Sequence, residues 1–513
     1  MRAFRYRHLL LFVAVIAMYI GARCWHLGDS CLWFDEIYSV QAAERPWSEL
    51  LNFIALDLVH PPLFYIVLKL WIGVGGESVI WLRSLPVLFS CLSIAPIVLL
   101  ARELKLRFQA ILITLFFLAA NGALIKYAQE VRMYTMLMFV SLCSLWLFTR
   151  LFYRGKGFAA LVVTNVVMVY IHYYGWGVIG AEVLALLILQ PAKWRRIALA
   201  ASIAFAAFIP WALTVYGVAK SGELGQNIGG TPRPGILALF NFVFDLVEPF
   251  YFQVSSAEPA SIYRVSIPVV LIILGSIVAY AATRNAKKDE QAALQLLLIF
   301  SLAPVAAAFI ASWVLPYSVW GTRHLIVVYA PAALLMACVI CEVRTRSLRV
   351  GALSLLILFT GYAGYLSLLR GPQQYVWCGW EGLVTEVRAS GELPPVYTSE
   401  DIAAYHSWFS VRNDPKVSVS VVRPPEGEFA DKEYFLPRGF YGVRTVGLDE
   451  ISGPRIILLY RVERPRMTDW LFTRAVAMGY SGCPSKRVEY PQSTLIRVEM
   501  VKPPEVCGKL GEP

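Results

Sequence analysis

The sequence contains few charged residues for its length. Of its 513 residues, 16% are charged and 58% are hydrophobic, whereas soluble domains usually contain about 25% charged residues. The shortage lies mainly in roughly the first 370 residues, where apolar runs close to the ~20 residues needed to cross a bilayer recur. This composition excludes an ordinary soluble protein and predicts a polytopic membrane protein.

Several familiar sequence signals are also absent. The nine cysteines include one Cys-x-x-Cys pair, Cys338 and Cys341, but it lies at the end of an apolar run, where buried thiols are expected rather than a metal site. No Asn-x-Ser/Thr sequence occurs, which disfavours a protein of the secretory pathway. The chain shows no internal repeat, although many membrane transporters are built from repeats.

The net charge of +11 has a topological origin. Lys and Arg cluster in short loops between apolar runs, and such loops remain in the cytoplasm, so nucleic acid is not an expected partner. Residues 1–22 resemble a signal peptide but are interpreted as a retained first helix, because a membrane protein follows them. The basic segments are the N-terminus and residues 102–107, 154–156, 193–196, 284–288 and 344–349.

The basic loops predict about eleven membrane crossings. With the N-terminus inside, residues 27–60 are outside and residues 101–107 inside, so residues 61–100 cross only once. We assign the crossing to 79–100 and interpret 61–76, which contains three glycines, as an oblique or re-entrant lead-in.

The prediction therefore divides the chain into two domains. Residues 1–369 form an α-helical membrane domain with outer loops at 27–60 and 217–264, the second of which contains an apolar stretch at 236–252. Residues 370–513 alternate strand-like and helix-like runs and predict an α/β domain on the outer side. A disulfide between Cys483 and Cys507 is expected there if the compartment is oxidising.

Two polar clusters follow the first apolar run. Asp35 and Glu36 are adjacent carboxylates that can bind a metal, pair with a cation or act as a general base. The alternative is that Asp35 is the N-cap of the next helix. The motif His60-Pro61-Pro62-Leu63-Phe64-Tyr65 is either a simple helix start or a place where His60 donates to an anion at the mouth of a cavity.

Two further clusters join later apolar runs. In the segment from Tyr127 to Tyr134, Glu130 and Arg132 either pair at a turn or face a polar ligand. Further on, Arg323 and His324 lead into a helix, where Arg323 is either an interfacial anchor or a phosphate contact. All four clusters are predicted on the outer face, and together they suit a substrate with a lipid tail, a phosphate and a polar head.

In this order, the clusters resemble the motifs of one branch of the GT-C membrane glycosyltransferases. That branch comprises the protein O-mannosyltransferases and the bacterial aminoarabinose transferase of lipid A. The resemblance covers about residues 1–370, and the ordered set is specific although each short motif alone is weak. Its motifs are Asp35-Glu36, His60-Pro61-Pro62-Leu63-Phe64-Tyr65, Gln129-Glu130-Val131-Arg132-Met133-Tyr134 and His172-Tyr173-Tyr174.

The resemblance implies the GT-C fold and transfer of a sugar, a hexose or a pentose, from a polyprenyl-phosphate donor with inversion. It implies that Asp35 is the catalytic base, with Glu36 beside it, and that Arg323 contacts the donor phosphate. Glu130 matches a second acidic position that binds a metal or positions the acceptor; no cofactor is certain. The aminoarabinose transferase has Lys where this chain has His60. The expected substrate-binding residues are His60, Tyr65, Gln129, Glu130, Arg132, Tyr134, His172, Tyr173, Arg323 and His324.

Other functions compete with this interpretation. A transporter or flippase of lipid-linked sugars is the main alternative, and an O-antigen ligase or polymerase, with a different motif set, is another. The expected partners are the lipid-linked sugar, membrane lipids and a lipid, glycan or protein acceptor. The expected location is the bacterial cytoplasmic membrane, with the active site and the C-terminus facing the periplasm.

Overall fold

The computed structural model describes most of the chain. The described residues are 2–57, 59–191, 194–220, 232–250, 263–283, 288–370, 375–391, 393–423, 436, 440, 442–462, 465–490 and 493–507. Parts of the predicted outer loop 217–264, namely residues 221–231 and 251–262, therefore lie outside them.

The contacts between residues divide the chain into two compact units. The first unit contains the described residues of Met1–Leu27, Ala42–Phe252 and Pro259–Gly371. The second contains Gly28–Gln41 together with the described residues of Pro372–Pro513. The segment after the first helix, which the sequence assigns to an outer loop of the membrane domain, thus packs with the C-terminal unit.

The main described elements of the first unit are helices. Apolar sequence runs form most of these helices because a backbone in lipid must satisfy its hydrogen bonds internally. The helix α2 (Phe34–Glu44) belongs to the second unit as far as Gln41. The other helices up to residue 220 are α1 (Arg2–Cys24), α3 (Trp47–Asp57), α4 (Leu63–Gly75), α5 (Val79–Leu92), α6 (Ile94–Glu103), α7 (Phe108–Ala120), α8 (Gly122–Ala128), α9 (Tyr134–Arg154), α10 (Phe158–Ile171), α11 (Gly175–Leu189) and α12 (Trp194–Lys220). They are followed by α13 (Ile236–Val247), α14 (Tyr263–Thr283), α15 (Lys288–Val314), α16 (Tyr329–Glu342) and α17 (Arg346–Arg370).

The apolar helices match the predicted crossings. Among the described residues, eight helices are long and apolar enough to cross a membrane. The shorter apolar helices α7, α10 and α11 coincide with three more predicted runs. The remaining two, α4 and α13, coincide with the predicted lead-in and with the apolar stretch of the second outer loop. The prediction of a polytopic α-helical membrane protein is confirmed.

Burial separates central helices from peripheral ones. The span formed by α9 is 78% buried over its most apolar window, and the span from His324 to Glu342 is 83% buried. The corresponding figures for α1 and α17 are 11% and 17%. Because their side chains are mostly buried, α9 and α16 form the interior of the unit. The apolar surfaces of α1 and α17 are mostly exposed, which suits contact with lipid.

The second unit is built around a mixed β-sheet. Its described strands lie in the order β3-β2-β1-β4-β7-β5, and β6 also pairs with β7. Strands β1 to β4 pair in parallel, whereas β7 is antiparallel to β4. This arrangement confirms the predicted α/β character of the tail. The elements are α18 (Val376–Ser390), β1 (Val396–Thr398), α19 (Asp401–Val411), β2 (Val419–Val422), β3 (Arg444–Val446), β4 (Arg455–Arg461), α20 (Pro465–Ala477), β5 (Ser481–Gly482), β6 (Lys486–Tyr490) and β7 (Ser493–Val501).

Two disulfides lie within the second unit. Cys483 and Cys507 are bonded, as the sequence suggests for an oxidising compartment. Cys31 is bonded to Cys378 across 347 residues of sequence, a pairing that sequence reasoning missed. The number of cysteines could have indicated this pairing. The tail has three cysteines, so one of them needs a partner from elsewhere, and Cys31 lies in the predicted outer loop.

Candidate functional site

Three predicted site histidines meet inside the first unit. His60 precedes α4, His172 directly follows α10, and His324 begins a short 3₁₀ helix that leads into α16. One ring nitrogen from each lies within 4.8 Å of one from each of the others. The structure therefore brings together residues that are more than 100 positions apart in sequence, and we call this group the histidine cluster.

Arg132 borders the histidine cluster and contributes to keeping His60 neutral. Its Nη2 lies 3.4 Å from His60 Nδ1 and 3.5 Å from Nε2, and Arg132 is only 3% exposed. A guanidinium can only donate, so the facing His60 nitrogen accepts. Burial, followed by the positive charge of Arg132, holds the pKa of His60 well below its usual range. His60 is therefore neutral at physiological pH.

A backbone contact determines the tautomer of His172. The Tyr174 N–H donates to His172 Nδ1 at 3.1 Å, so the proton of the neutral ring resides on Nε2. That Nε2 is buried and has no hydrogen-bond partner among the described residues. His172 thus offers an N–H donor that no described residue accepts.

His324 is held close to the backbone by a glycine. A Cβ atom at Gly321 would lie 2.8 Å from His324 Nδ1, so a larger residue would displace the ring. This Nδ1 is also buried without a hydrogen-bond partner among the described residues. Gly321 consequently allows the close approach of His324, a feature that the motif analysis did not identify.

Aromatic rings surround the histidines. The Tyr134 ring centroid is 6.0 Å from His324 and 6.5 Å from His172. Tyr174, absent from the predicted site residues, lies 5.2 Å from His324 and 5.5 Å from His172, and its hydroxyl donates to the Val319 carbonyl. The signal for Tyr174 was its place in the His-Tyr-Tyr motif.

Two predicted residues of the third motif have structural partners. Gln129 Nε2 donates to the carbonyls of Arg23 (3.0 Å) and Trp25 (2.7 Å) at the end of α1. Glu130 Oε1 lies 3.6 Å from Lys126 Nζ. These bonds connect helix ends within the unit, and the substrate contacts of Gln129 and Glu130 stay predictions.

The other predicted binding residues differ in exposure. Tyr65 is fully buried on α4, and the Tyr173 hydroxyl accepts from Trp211 Nε1 at 3.3 Å. Arg323 is partly exposed and directly precedes the short helix that contains His324. Its charge is close enough to lower the pKa of His60, so it belongs to the surroundings of the histidine cluster.

Asp35 and Glu36 lie in the second unit, in the first turn of α2. The helix begins at Phe34, and Glu36 Oε2 accepts from the backbone N–H of Trp33 at 3.0 Å. Glu36 therefore supplies the capping carboxylate, and the interpretation of Asp35 as the N-cap is wrong. Asp35 is partly exposed and Glu36 is buried. The catalytic role of either residue stays a prediction.

The chemistry of the histidine cluster does not fit a divalent metal. A metal-bound imidazole needs a free lone pair and usually donates through its other nitrogen, but His172 Nδ1 already accepts and its Nε2 carries the proton. His60 faces the cation of Arg132.

Two other candidate metal positions are also occupied by protein groups. At Glu130, the ammonium of Lys126 occupies the position that a cation would take. In the second unit, Cys31 approaches Glu381 and His406 but is disulfide-bonded.

The histidine cluster is instead suited to an anion. It combines the buried Nε2–H donor of His172 with the permanent charge of Arg132. Charge-assisted hydrogen bonds from Arg to phosphate or carboxylate are among the strong ones in proteins. Buried donors without a protein partner are costly, at roughly 1–3 kcal/mol each, unless a ligand satisfies them.

Comparison with known proteins identifies the fold. No protein-family model and no curated protein matches the sequence. ArnT from Cupriavidus metallidurans bound to undecaprenyl phosphate superposes with a TM-score of 0.58 at 13% identity, covering 95% of this chain and 97% of ArnT. Its apo form gives a TM-score of 0.56 at 13% identity, covering 97% and 98%. The chain therefore has the GT-C fold, as predicted.

An archaeal protein gives a weaker match. The oligosaccharyltransferase AglB from Archaeoglobus fulgidus, in complex with an inhibitory peptide and a dolichol-phosphate, has a TM-score of 0.48 at 14% identity. The match covers 79% of this chain and 64% of AglB, so this chain spans less than two thirds of that protein's length.

Proposed function

We propose that this protein transfers a hexosyl or pentosyl group from a polyprenyl-phosphate donor to an acceptor at the outer face of the bacterial cytoplasmic membrane. The acceptor is a lipid, a glycan or a protein hydroxyl. The proposal rests on the ordered motifs, on the GT-C fold and on the polar groups that the fold brings together.

The observation that carries the proposal is the buried donor set of the histidine cluster. His172 presents an N–H whose tautomer is set by Tyr174, and Arg132 adds a fixed positive charge. A phosphate linked to a lipid satisfies such a set, and ArnT, which has the same fold, has been solved with undecaprenyl phosphate bound. We assign the donor phosphate to this cluster, with Arg323 as a further contact.

The proposed chemistry requires one base. Asp35 takes the proton of the acceptor hydroxyl while the acceptor oxygen attacks the anomeric carbon. The bond between that carbon and the phosphate oxygen breaks, and polyprenyl phosphate leaves with the bonding electron pair. Attack opposite the leaving group inverts the anomeric configuration. The Glu36 carboxylate already accepts the backbone N–H of Trp33 at the start of α2. Asp35 is therefore the stronger candidate for the general base.

The disulfides support the proposed orientation. Cys31–Cys378 and Cys483–Cys507 both lie in the second unit, and disulfides persist in oxidising compartments such as the periplasm. Basic loops on the opposite side of the predicted helices agree with this assignment.

Incubation of the purified protein with a panel of polyprenyl-phosphate hexoses and pentoses tests the function. Release of free polyprenyl phosphate is expected. In Asp35→Asn, which keeps the size of the side chain but cannot take the proton, turnover should fall by about a hundredfold or more, with donor binding near normal. If the intact donor crosses vesicle membranes and no polyprenyl phosphate is released, the protein is a flippase. Mass spectrometry of envelope glycans with and without the protein identifies the acceptor.

A further inference from the structure

Three separate contacts tie the segment that contains Asp35 to the C-terminal part of the second unit. Cys31 is disulfide-bonded to Cys378. The Phe34 ring lies 5.0 Å from that of Tyr405, and the Tyr405 hydroxyl donates to Gln41 Oε1 at 2.5 Å. A covalent bond, an aromatic contact and a hydrogen bond therefore hold residues 28–41, which we call the Asp35 segment.

These contacts flank Asp35 on both sides. Cys31 and Phe34 precede it, whereas Gln41 follows it near the end of the same helix, α2. Phe34, Tyr405 and Gln41 are all buried, so solvent does not compete for their contacts. Since α2 is a single helix, holding it at both ends restricts the position of Asp35 in between.

The anchors lie on a pair of joined helices. Cys378 is on α18 and Tyr405 is on α19, and these two helices pack against each other. His406 Nδ1 on α19 is 3.3 Å from Glu381 Oε1 on α18, and His406 is fully buried. The contacts of the Asp35 segment therefore end on one connected platform rather than on independent loops.

We propose that Tyr405 and the Cys31–Cys378 disulfide are positioning elements for the general base. This inference rests on the proposed function, because the role of Asp35 as the base belongs to it. Tyr405 acts through Gln41 and Phe34, which fix the helix on which Asp35 is placed.

The same unit provides matched controls for a test. Tyr480 is also buried, and its hydroxyl donates to the Gly453 carbonyl at 2.8 Å, so Tyr480→Phe removes a comparable hydrogen bond within the C-terminal part. Cys483→Ser/Cys507→Ser likewise removes the other disulfide. The test variants are Tyr405→Phe and Cys31→Ser/Cys378→Ser, made in the full-length protein in nanodiscs.

Two readouts are measured on every variant. Hydrogen exchange of peptides from residues 28–41 should be faster in both test variants and unchanged in both controls. The kcat for donor consumption should fall about threefold to tenfold in Tyr405→Phe, and further in the disulfide variant, while KM for the donor stays the same. In an Asp35→Asn background, Tyr405→Phe should cause no further loss, because interacting residues are not additive.

The inference is overturned if exchange of the Asp35 segment is unchanged in both test variants, or if the controls alter it equally. It is also overturned if Tyr405→Phe raises the donor KM instead of lowering kcat. Hydrogen exchange needs no turnover, so its result stands whether or not the wild-type protein releases polyprenyl phosphate. Absence of that release from the wild-type protein would instead count against the proposed function.

Discussion

The interior of the membrane unit contains two polar clusters that differ in how they are satisfied. In the first, Ser144, Asn165 and Glu182 come from α9, α10 and α11 and are buried. Asn165 Nδ2 donates to Glu182 Oε2 at 2.9 Å, and Ser144 Oγ lies 2.5 Å from Asn165 Oδ1 and 2.6 Å from Glu182 Oε1. The second is the histidine cluster, where His172 Nε2 and His324 Nδ1 have no partner among the described residues.

Counting hydrogens shows that the first cluster is closed. Ser144 has one hydroxyl hydrogen but makes two close oxygen contacts, so one hydrogen must come from Glu182. With either orientation of the Asn165 amide, the ring closes when Glu182 carries a proton. A closed polar ring joins helices and needs no ligand, whereas a cluster that leaves buried polar atoms unsatisfied is organised for one. We expect substitutions in the two clusters to separate binding from stability.

Among substitutions in the two clusters, the largest effect is expected for Arg132→Gln. Hydrogen bonds to charged groups contribute about 1.5–3 kcal/mol, so affinity for the donor phosphate should fall by about tenfold to a hundredfold. The thermal unfolding midpoint should change little, since Gln retains a donor for His60. Titration of undecaprenyl phosphate against the detergent-solubilised protein measures the affinity. Unaltered affinity would show that the histidine cluster is structural and would remove the contrast between the clusters.

Glu182 is expected to give the opposite result. Glu182→Ala leaves Ser144 and Asn165 incompletely bonded and should destabilise the protein by about 1–3 kcal/mol, with normal affinity for the donor phosphate. Glu182→Gln keeps the shape and a donor toward Ser144, so its stability should be near that of the wild type. Thermal unfolding in matched detergent measures both. Equal destabilisation by Gln and Ala would indicate an ionised Glu182.

Acidification should act on the histidine cluster. The pKa of His60 is lowered in the folded protein relative to the ordinary value of 6.5, so the unfolded chain binds the proton first. The contribution of neutral His60 to the free energy of unfolding is therefore fully present above about pH 6.5 and is lost as the pH drops below that value. Arg132, His172, His324 and Arg323 all oppose the extra charge. His60→Gln should lessen the drop in unfolding midpoint between about pH 7.5 and 5.5; an undiminished drop would assign it to other groups.

The smallest effect is expected for Gly321→Ala. The new Cβ would press on the His324 ring, which can shift, so donor affinity should weaken only about twofold to fivefold, or roughly 0.4–1 kcal/mol. Gly361→Ala in α17 is the control, because nothing lies within 4 Å of the Cβ it would add. If the two variants bind undecaprenyl phosphate equally well, close packing of His324 is unimportant for binding.

The helical architecture was largely predictable from the sequence. The apolar runs predicted the membrane helices, because a segment that crosses lipid must be apolar. Alternating strand-like and helix-like runs predicted the α/β tail. Local motifs also placed His60, Arg132 and His324 among the site candidates, because polar groups at membrane depth are costly without a role, whereas His172 entered through the resemblance to the family motifs. Their convergence followed from the predicted topology, which put the motifs at the same membrane face.

The remaining features depend on contacts that no sequence window contains. Cys31–Cys378 and Tyr405–Gln41 join residues separated by 347 and 364 positions, so neither pairing appears in a local pattern. The Asp35 cap interpretation failed because capping depends on which residue begins the helix, and helix ends are uncertain by one or two residues. The sequence analysis did not identify Glu182 as a buried polar residue, although a carboxylate within an apolar run is unusual.

The Cys31–Cys378 bond also bears on how the protein is made. Cys31 leaves the ribosome before its partner, which lies 347 residues further along, after α2 to α17. Cys31 therefore cannot form this disulfide until all those helices have been synthesised. Closure of the bond is a late event in biogenesis, and a stalled or truncated chain that ends before Cys378 never acquires it.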